Sequence, residues 1–385
     1  MAEPMTPQAS TPAPLHVLLL ASNAPSLVNF RGPLIAEMVR RGWRVTAAAP
    51  DFDAASLASV TALGARPIEM PMARTGMNPL ADLAYRRSLI ALFRRERPNV
   101  LLAYTIKPVI WGVLAARAAG VGRSVALITG LGYAFTDGTS GGLRRLIAGI
   151  MASSLYRLAL ACADRVLFQN PDDRDLFLDR GLLQDRGQVG VVDGSGVDLA
   201  HYTPAPLPEA PVFLMVSRLL YAKGVREYAR AAAVLKGRYP QARFQLAGWR
   251  DDGPDTVTEA ELRGFIDGGV EFLGRLDDVR PALAAARVYV LPSYREGTPR
   301  SVLEAMAMGR PVITTDAPGC RETVVDGVNG LKVPPQDAVA LEAAMERLIL
   351  HPDQAVAMGE ASLERVRARY DVHRVNAQIL SAVAD

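Results

Sequence analysis

Cysteine is nearly absent from this chain, with two in 385 residues, Cys162 and Cys320. Two distant thiols in apolar surroundings make neither a disulfide framework nor a zinc spacing, so the expected compartment is a reducing cytoplasm. No run of 18 or more apolar residues occurs, and no membrane-spanning helix is expected. The apolar segment from Leu15 to Ala21 is too short for a signal-peptide core and follows no basic residue. It reads as a buried strand, preceded by a disordered tail, Met1 to Pro14, rich in Pro, Ala, Thr and Ser. The glycine loops of nucleotide-binding enzymes are missing as well. After the first strand the chain runs Ser22-Asn23-Ala24-Pro25-Ser26-Leu27, Gly130-Leu131-Gly132 lacks a third glycine, and there is no Walker A loop. Hydride transfer and P-loop chemistry are thereby excluded. No basic run is interleaved with aromatics, which argues against nucleic acid.

What is present is an alternation of short apolar runs with helical patterns, the habit of parallel α/β folds. Strands are expected at His16–Ala21, Arg44–Ala48, Val100–Leu102, Val125–Ile128 and Arg165–Phe168. A second set is expected at Pro211–Val216, Arg243–Ala247, Glu271–Leu273, Arg287–Leu291 and Pro311–Thr314. The first helix is expected over Arg31–Arg41, stopped by Gly42. Others are expected at Tyr228–Leu235, Val279–Ala286 and Val302–Met308. The length suits two domains: two doubly wound parallel units in tandem, 15–200 and 205–365, joined near Val197–Leu207. A C-terminal helix at about 366–385 is expected to return to the first domain.

Charge is uneven. Residues 1–160 hold 17 Lys/Arg against 8 Asp/Glu, and the rest hold 26 against 32, which gives +9, −6 and the overall +3. Either the first half is a solvated arginine-rich surface, or it faces anions such as a membrane surface or a phosphorylated acceptor.

The chemistry concentrates in Ser293-Tyr294-Arg295-Glu296-Gly297-Thr298-Pro299-Arg300, which follows a strand and opens a helix running through Glu304 to Gly309-Arg310-Pro311. Amides at such a turn, Gly297 and Thr298 first, bind anions with help from the helix dipole. Glu296 and Glu304 stand eight residues apart, too far for a proton-sharing pair. Each could accept hydrogen bonds from a different diol. A capping or surface role is the alternative for either one alone.

This Glu-x7-Glu pattern, inside Arg-Glu-Gly-x-Pro and Leu-Glu-Ala-Met-Ala-x-Gly-Arg-Pro, resembles the signature of family-4 retaining glycosyltransferases. Further matches are Arg218 and Lys223 in Ser217-Arg218-Leu219-Leu220-Tyr221-Ala222-Lys223-Gly224, Gly194 to Asp198, Gly319 to Glu322, and Gly327 to Gly330. The resemblance implies the GT-B fold, two Rossmann-like domains around a cleft, and a metal-independent hexosyltransferase without a cofactor. It implies that Glu304 holds the donor ribose and Glu296 the transferred sugar. Arg218 and Lys223 would neutralise the diphosphate, with the Gly297 and Thr298 amides assisting beside Pro299. Gly32, at the start of the first helix, would let backbone approach the phosphates. Glu296, Lys223 and Arg218 are the catalytic candidates. Lysine is rare here, four among 43 basic residues, so Lys223 at a motif position suggests a compact charge rather than a planar fork; a surface lysine is the alternative.

Many relatives carry a histidine after the fourth strand. Here Thr129-Gly130-Leu131-Gly132-Tyr133 has none, and His16, His201, His351 and His373 lie elsewhere. Lys107 in Tyr104-Thr105-Ile106-Lys107-Pro108, with Asn29-Phe30-Arg31-Gly32-Pro33, resembles a subgroup acting on polyprenyl-diphosphate-linked sugars in bacterial glycan assembly. That implies acceptor contacts at Arg31, Thr105, Lys107, Gly130 and Tyr133, a donor such as a UDP-sugar, and work at the inner face of the cytoplasmic membrane. A soluble acceptor, an epimerase and a non-catalytic sugar-nucleotide sensor are the competing readings. Asp51-Phe52-Asp53 could pass for a metal-binding motif, but it follows Pro50 and reads as a turn. The pattern over Gly141–Ala163 is either a core-facing helix or one lying in a membrane interface.

Overall fold

The computed structural model describes residues 14–72, 78–130, 153–183, 186–251, 253 and 255–384. Two wholly parallel sheets organise it. The first contains β1 (His16–Leu20), β2 (Arg44–Ala49), β3 (Arg66–Glu69), β4 (Val100–Tyr104), β5 (Arg123–Ile128), β6 (Arg165–Phe168) and β7 (Val189–Val191), in the order β3-β2-β1-β4-β5-β6-β7. The second contains β8 (Val212–Val216), β9 (Arg243–Ala247), β10 (Val270–Gly274), β11 (Val288–Leu291), β12 (Val312–Thr315) and β13 (Gly330–Val333), in the order β10-β9-β8-β11-β12-β13. Central strands such as β4 (VLLAY) and β8 (VFLMV) are apolar throughout because crossover helices cover both faces. In β1 all five residues are buried, and Val17 is paired to Val45 on one side and Val100 on the other.

By packing, the chain separates into two compact units. One comprises Met1–Leu127 with Leu158–Asp164, the other Ile128–Arg157 with Arg165–Asp385. Strands β6 and β7 therefore pack with the second unit.

In the first unit, α1 (Ala24–Arg40) begins seven residues before the expected start. Asn23 caps it, accepting the Ser26 amide at 2.9 Å, and Pro25 occupies its first turn. Gly32 consequently sits buried in the middle of the helix, not at its start. A Cβ there would meet only Leu63, at an ordinary 3.6 Å. Helices α2 (Ala54–Ala62), α3 (Pro79–Glu96) and α4 (Ile106–Ala119) complete this unit. The turn at Asp51 has φ 62°, and Asp53 forms a capping box with Ser56 at the head of α2, as a turn reading requires. The pattern over 141–163 is described only from residue 153, with helix over 153–160. Arg144 and Arg145 lie outside the described residues.

The second unit carries α5 (Pro171–Asp179), α6 (Val225–Arg238), α7 (Glu259–Asp267), α8 (Arg280–Ala285), α9 (Arg300–Ala307), α10 (Ala338–Leu350), α11 (Pro352–Arg365) and α12 (Val372–Ala384). Phe213 and Phe244 stack across β8 and β9 with centroids 5.5 Å apart. Buried Tyr228 places its hydroxyl within reach of the Phe213 and Gln245 carbonyls, at 3.1 and 3.0 Å. Among the described residues no helix is long and apolar enough to cross a membrane.

Candidate active site

The site in the second unit is assembled at the carboxyl ends of its strands, where parallel sheets bind ligands. After β8 the chain forms a short 3-10 turn, Tyr221–Lys223. After β11 it runs through Ser293 and Tyr294 into α9. Two hydrogen bonds hold these segments together: Tyr294 N–H to the Ala222 carbonyl at 2.9 Å, and the buried Ser293 hydroxyl to the same carbonyl at 3.1 Å. Lys223 and Glu296 are thereby brought into contact, Nζ to Oε1 at 2.5 Å. Their side chains are only 19% and 15% exposed. The backbone N–H groups of Gly297 and Thr298 have no acceptor among the described residues. The loop thus offers a cation, a carboxylate and two amides side by side.

A clamp that sequence reading missed holds this loop. Asn170 caps α5 by accepting the Asp173 amide at 2.8 Å. Its own amide donates to the carbonyls of Glu296 (3.2 Å) and Gly297 (2.8 Å). Asp173, with no exposed surface, pairs with Arg295 at 2.5 Å. Burial raises the Asp173 pKa, against the lowering effects of Arg295 and Asn170. Thr298 Oγ1 donates to the Gln169 carbonyl at 2.9 Å. Packing leaves no room for a side chain at two positions. A Cβ at Gly297 would lie 2.3 Å from the Thr129 carbonyl oxygen, and one at Gly319 only 2.1 Å from that of Glu296. Gly130 adjoins Gly297, its ideal Cβ 4.0 Å from the Gly297 nitrogen. The cap could be read from Asn170-Pro171 followed by two aspartates. The second use of the same amide has no local sequence signal.

Glu304 and Arg218 have other partners. Glu304, on α9, is 9% exposed and pairs with Arg300 one turn before it, at 2.9 Å. Burial raises its pKa, opposed by the neighbouring Arg300 guanidinium. Arg218 pairs with Asp251 at 2.8 Å, and the Trp249 indole donates to the other Asp251 oxygen at 3.1 Å. Pro299 is the N-cap of α9.

The first unit gathers three acceptor candidates around the end of β4. Arg31 is buried, its guanidinium 5.2 Å from the centroid of the Tyr104 ring. The Tyr104 hydroxyl meets Ser26 Oγ at 2.9 Å, and burial pushes its pKa up to about 12. Thr105 takes φ 70°, a strained conformation for a β-branched residue, at the head of α4. Lys107 is ion-paired with Asp82 at 3.0 Å, a partner that sequence reading did not supply. Tyr133 lies outside the described residues.

Two family models match in chain order: a glycosyl transferase 4-like domain over residues 30–192 and glycosyl transferases group 1 over residues 210–351. The chain is 27% identical over 349 residues to N,N'-diacetylbacillosaminyl-diphospho-undecaprenol alpha-1,3-N-acetylgalactosaminyltransferase of Campylobacter jejuni, covering 87% of this chain and 89% of that protein. It is 26% identical over 283 residues to the UDP-Gal:alpha-D-GlcNAc-diphosphoundecaprenol alpha-1,3-galactosyltransferase of Escherichia coli, covering 70% and 71%. Among solved structures, sucrose-phosphate synthase from Thermosynechococcus elongatus superposes with a TM-score of 0.78 at 22% identity, over 95% of this chain and 98% of that one. With both family models matched and two parallel Rossmann-like sheets in place, the chain belongs to the family-4 glycosyltransferases, as a hexosyltransferase of the GT-B fold.

Proposed function

We propose that this enzyme transfers a hexose or N-acetylhexosamine, with retention and without a metal, from a UDP-sugar to a polyprenyl-diphosphate-linked sugar. The observation that carries the reading is the Lys223–Glu296 contact beside the Gly297 and Thr298 amides. Lys223 and the amides suit a leaving diphosphate, and Glu296 suits hydroxyls of the departing sugar. The bond from the sugar C1 to the β-phosphate oxygen breaks while the acceptor oxygen bonds to C1 on the same face. The acceptor proton passes to the leaving phosphate. Catalysis then rests on positioning and on stabilising charge that grows on the diphosphate. Arg218 would share that charge once the donor displaces Asp251, and Glu304 would hold the ribose.

The sheets support a division into an acceptor domain, 15–200, and a donor domain, 205–365. Strands β1 to β7 fall in the former and β8 to β13 in the latter. The lipid-linked acceptor draws support from the names of both bacterial relatives and from the +9 charge of residues 1–160. Arg31, Thr105, Lys107, Gly130 and Tyr133 are its proposed contacts. Work at the inner membrane face follows from such an acceptor.

The test is a transfer assay offering UDP-N-acetylgalactosamine, UDP-galactose and UDP-glucose, with either a polyprenyl-diphosphate sugar or the free sugar, with and without EDTA. Lipid-linked product with the donor's anomeric configuration, made equally in EDTA, is expected. Preference for the free sugar would refute the acceptor assignment. Loss of activity in EDTA, restored by Mn²⁺, would refute metal independence.

A further inference from the structure

We propose that Tyr294 is a positioning residue for the transfer reaction, anchored by Glu227 so that Lys223 and Glu296 keep their spacing once the donor parts them. The proposal rests on the reading that Lys223 faces the leaving diphosphate and Glu296 the departing sugar. Tyr294 stands two residues before Glu296, and Glu227 lies one helical turn after Lys223, in the first turn of α6. The Tyr294 hydroxyl donates to Glu227 Oε1 at 2.9 Å. The backbones beside it are already in contact. The Tyr294 N–H and the Ser293 hydroxyl share the Ala222 carbonyl, and a Cβ at Gly224 would lie 2.1 Å from the Pro292 carbonyl oxygen. The head of α6 is itself fixed. The Arg226 guanidinium lies 3.5 Å from the centroid of the Tyr221 ring and donates to Glu261 Oε1 at 2.9 Å, while the Tyr221 hydroxyl donates to Glu261 Oε2 at 2.8 Å.

Two observations separate this bond from ordinary packing. The first is that it closes a ring with the reacting pair. Lys223 leads to Glu227 along the chain, Glu227 to Tyr294 through the hydroxyl, Tyr294 to Glu296 along the loop, and Glu296 back to Lys223 through the ion pair. A bound donor opens the last link, because Lys223 turns to a phosphate and Glu296 to a sugar hydroxyl. The Tyr294–Glu227 bond is a side-chain link that persists and holds the two segments in register. A misplacement of about 1 Å can cost about a hundredfold in rate. The second observation is that Glu227 is an expensive anchor. It is 7% exposed, and its Oε2 is buried with no hydrogen-bond partner among the described residues. An apolar pair of similar size would be no less stable there, so the value of the carboxylate lies in where it holds the tyrosine.

The experiment measures melting temperature, UDP affinity by calorimetry, and kcat with the UDP-sugar that the wild type turns over. The variants are Tyr294→Phe, Glu227→Gln, the double variant Tyr294→Phe/Glu227→Met, and Lys223→Ala. Tyr294→Phe leaves the buried carboxylate unpaired, so kcat should fall about tenfold and the melting temperature by about 3 °C, with UDP affinity within about twofold. Glu227→Gln keeps an acceptor for the hydroxyl and should hold kcat within about threefold of the wild type. The double variant should recover the melting temperature but not kcat, a split that a purely structural pair would not give. Three results would each overturn the positioning role while an impaired Lys223→Ala upholds the reading of the site: recovery of both quantities in the double variant, full kcat in Tyr294→Phe, or a kcat in Glu227→Gln as low as that of Tyr294→Phe. Full kcat in Lys223→Ala would instead remove the reading of the site, and the proposal with it.

Discussion

Lys223 is already satisfied by Glu296 at 2.5 Å, so an incoming diphosphate must share or displace that contact. The gain from Lys223 in the ground state is correspondingly small. It grows as negative charge accumulates on the leaving group, which is when stabilisation accelerates a reaction. Lys223→Ala should therefore lower kcat by about a hundredfold while donor affinity falls by less than about tenfold. Steady-state kinetics beside equilibrium UDP binding separates the two, and an equal loss in both would reduce Lys223 to a binding residue. Asn170 poses a similar question, because one side chain both caps α5 and grips the Glu296 and Gly297 carbonyls. Asn170→Ser keeps a capping acceptor but lacks the amide that reaches the loop. The melting temperature should change little while kcat falls by about tenfold. A full kcat with a lowered melting temperature would mean that Asn170 serves only the fold.

At the scale of elements, the turn between α9 and β12 is stapled by Arg310, a side chain with no exposed surface. All its partners are backbone carbonyls: Met308 at 3.0 Å, Pro206 at 3.2 Å, Ala284 at 3.4 Å, Ala286 at 2.7 Å, and Ala205. Desolvation pushes its pKa down to about 10. The guanidinium fork satisfies carbonyls from three segments at once, which the three donors of an ammonium on a flexible stem do not reproduce. Arg310→Lys should cost about 3 kcal/mol by leaving buried acceptors unpaired, measurable by urea denaturation; a loss under about 1 kcal/mol would show that the carbonyls find other donors. The motif reading singled out Gly309-Arg310-Pro311 without showing that its arginine is structural. Strands were legible where burial on both faces makes them continuously apolar, as in β4, β8 and β11. Strands β3, β7 and β13 were missed. Arg66-Pro67-Ile68-Glu69 is half-exposed, Val189-Gly190-Val191 is three residues long, and Gly330-Leu331-Lys332-Val333 contains a charge. The early start of α1 was hidden because Pro25 and Pro33 both look like breakers, although a proline in the first turn is well tolerated. In the site, Glu296, Lys223 and Glu304 carried sequence signals. Asp173 and Asn170, which hold Arg295, Glu296 and Gly297, lie 122 to 127 residues away from them in sequence, beyond any local pattern.

At the scale of the whole molecule, the charge asymmetry outlasts any single contact. Residues 1–160 carry +9 and the remainder −6. A polyprenyl diphosphate keeps its headgroup at the bilayer surface, so an enzyme that uses it works beside anionic lipid. Each basic residue near such a surface contributes about 1 kcal/mol, attenuated over a Debye length of about 8 Å. Apolar contact adds to this. At the head of α3, Leu80 is 80% exposed and Leu83 is 38% exposed one turn on, and exposed Arg87 follows on the same helix. Reversible peripheral binding is the expected result, without a spanning segment. Co-sedimentation with liposomes of graded anionic content, at low and high salt, tests it. Binding should rise with anionic lipid and fall with salt. It should weaken in Arg144→Glu/Arg145→Glu through charge, and in Leu80→Ser through lost insertion. Because the two terms are independent, high salt should abolish the difference between the arginine variant and wild type while preserving that of the leucine variant. An enzyme that ignores liposomes at every composition, yet transfers sugar to a water-soluble acceptor, would show that the arginine excess only solvates the surface.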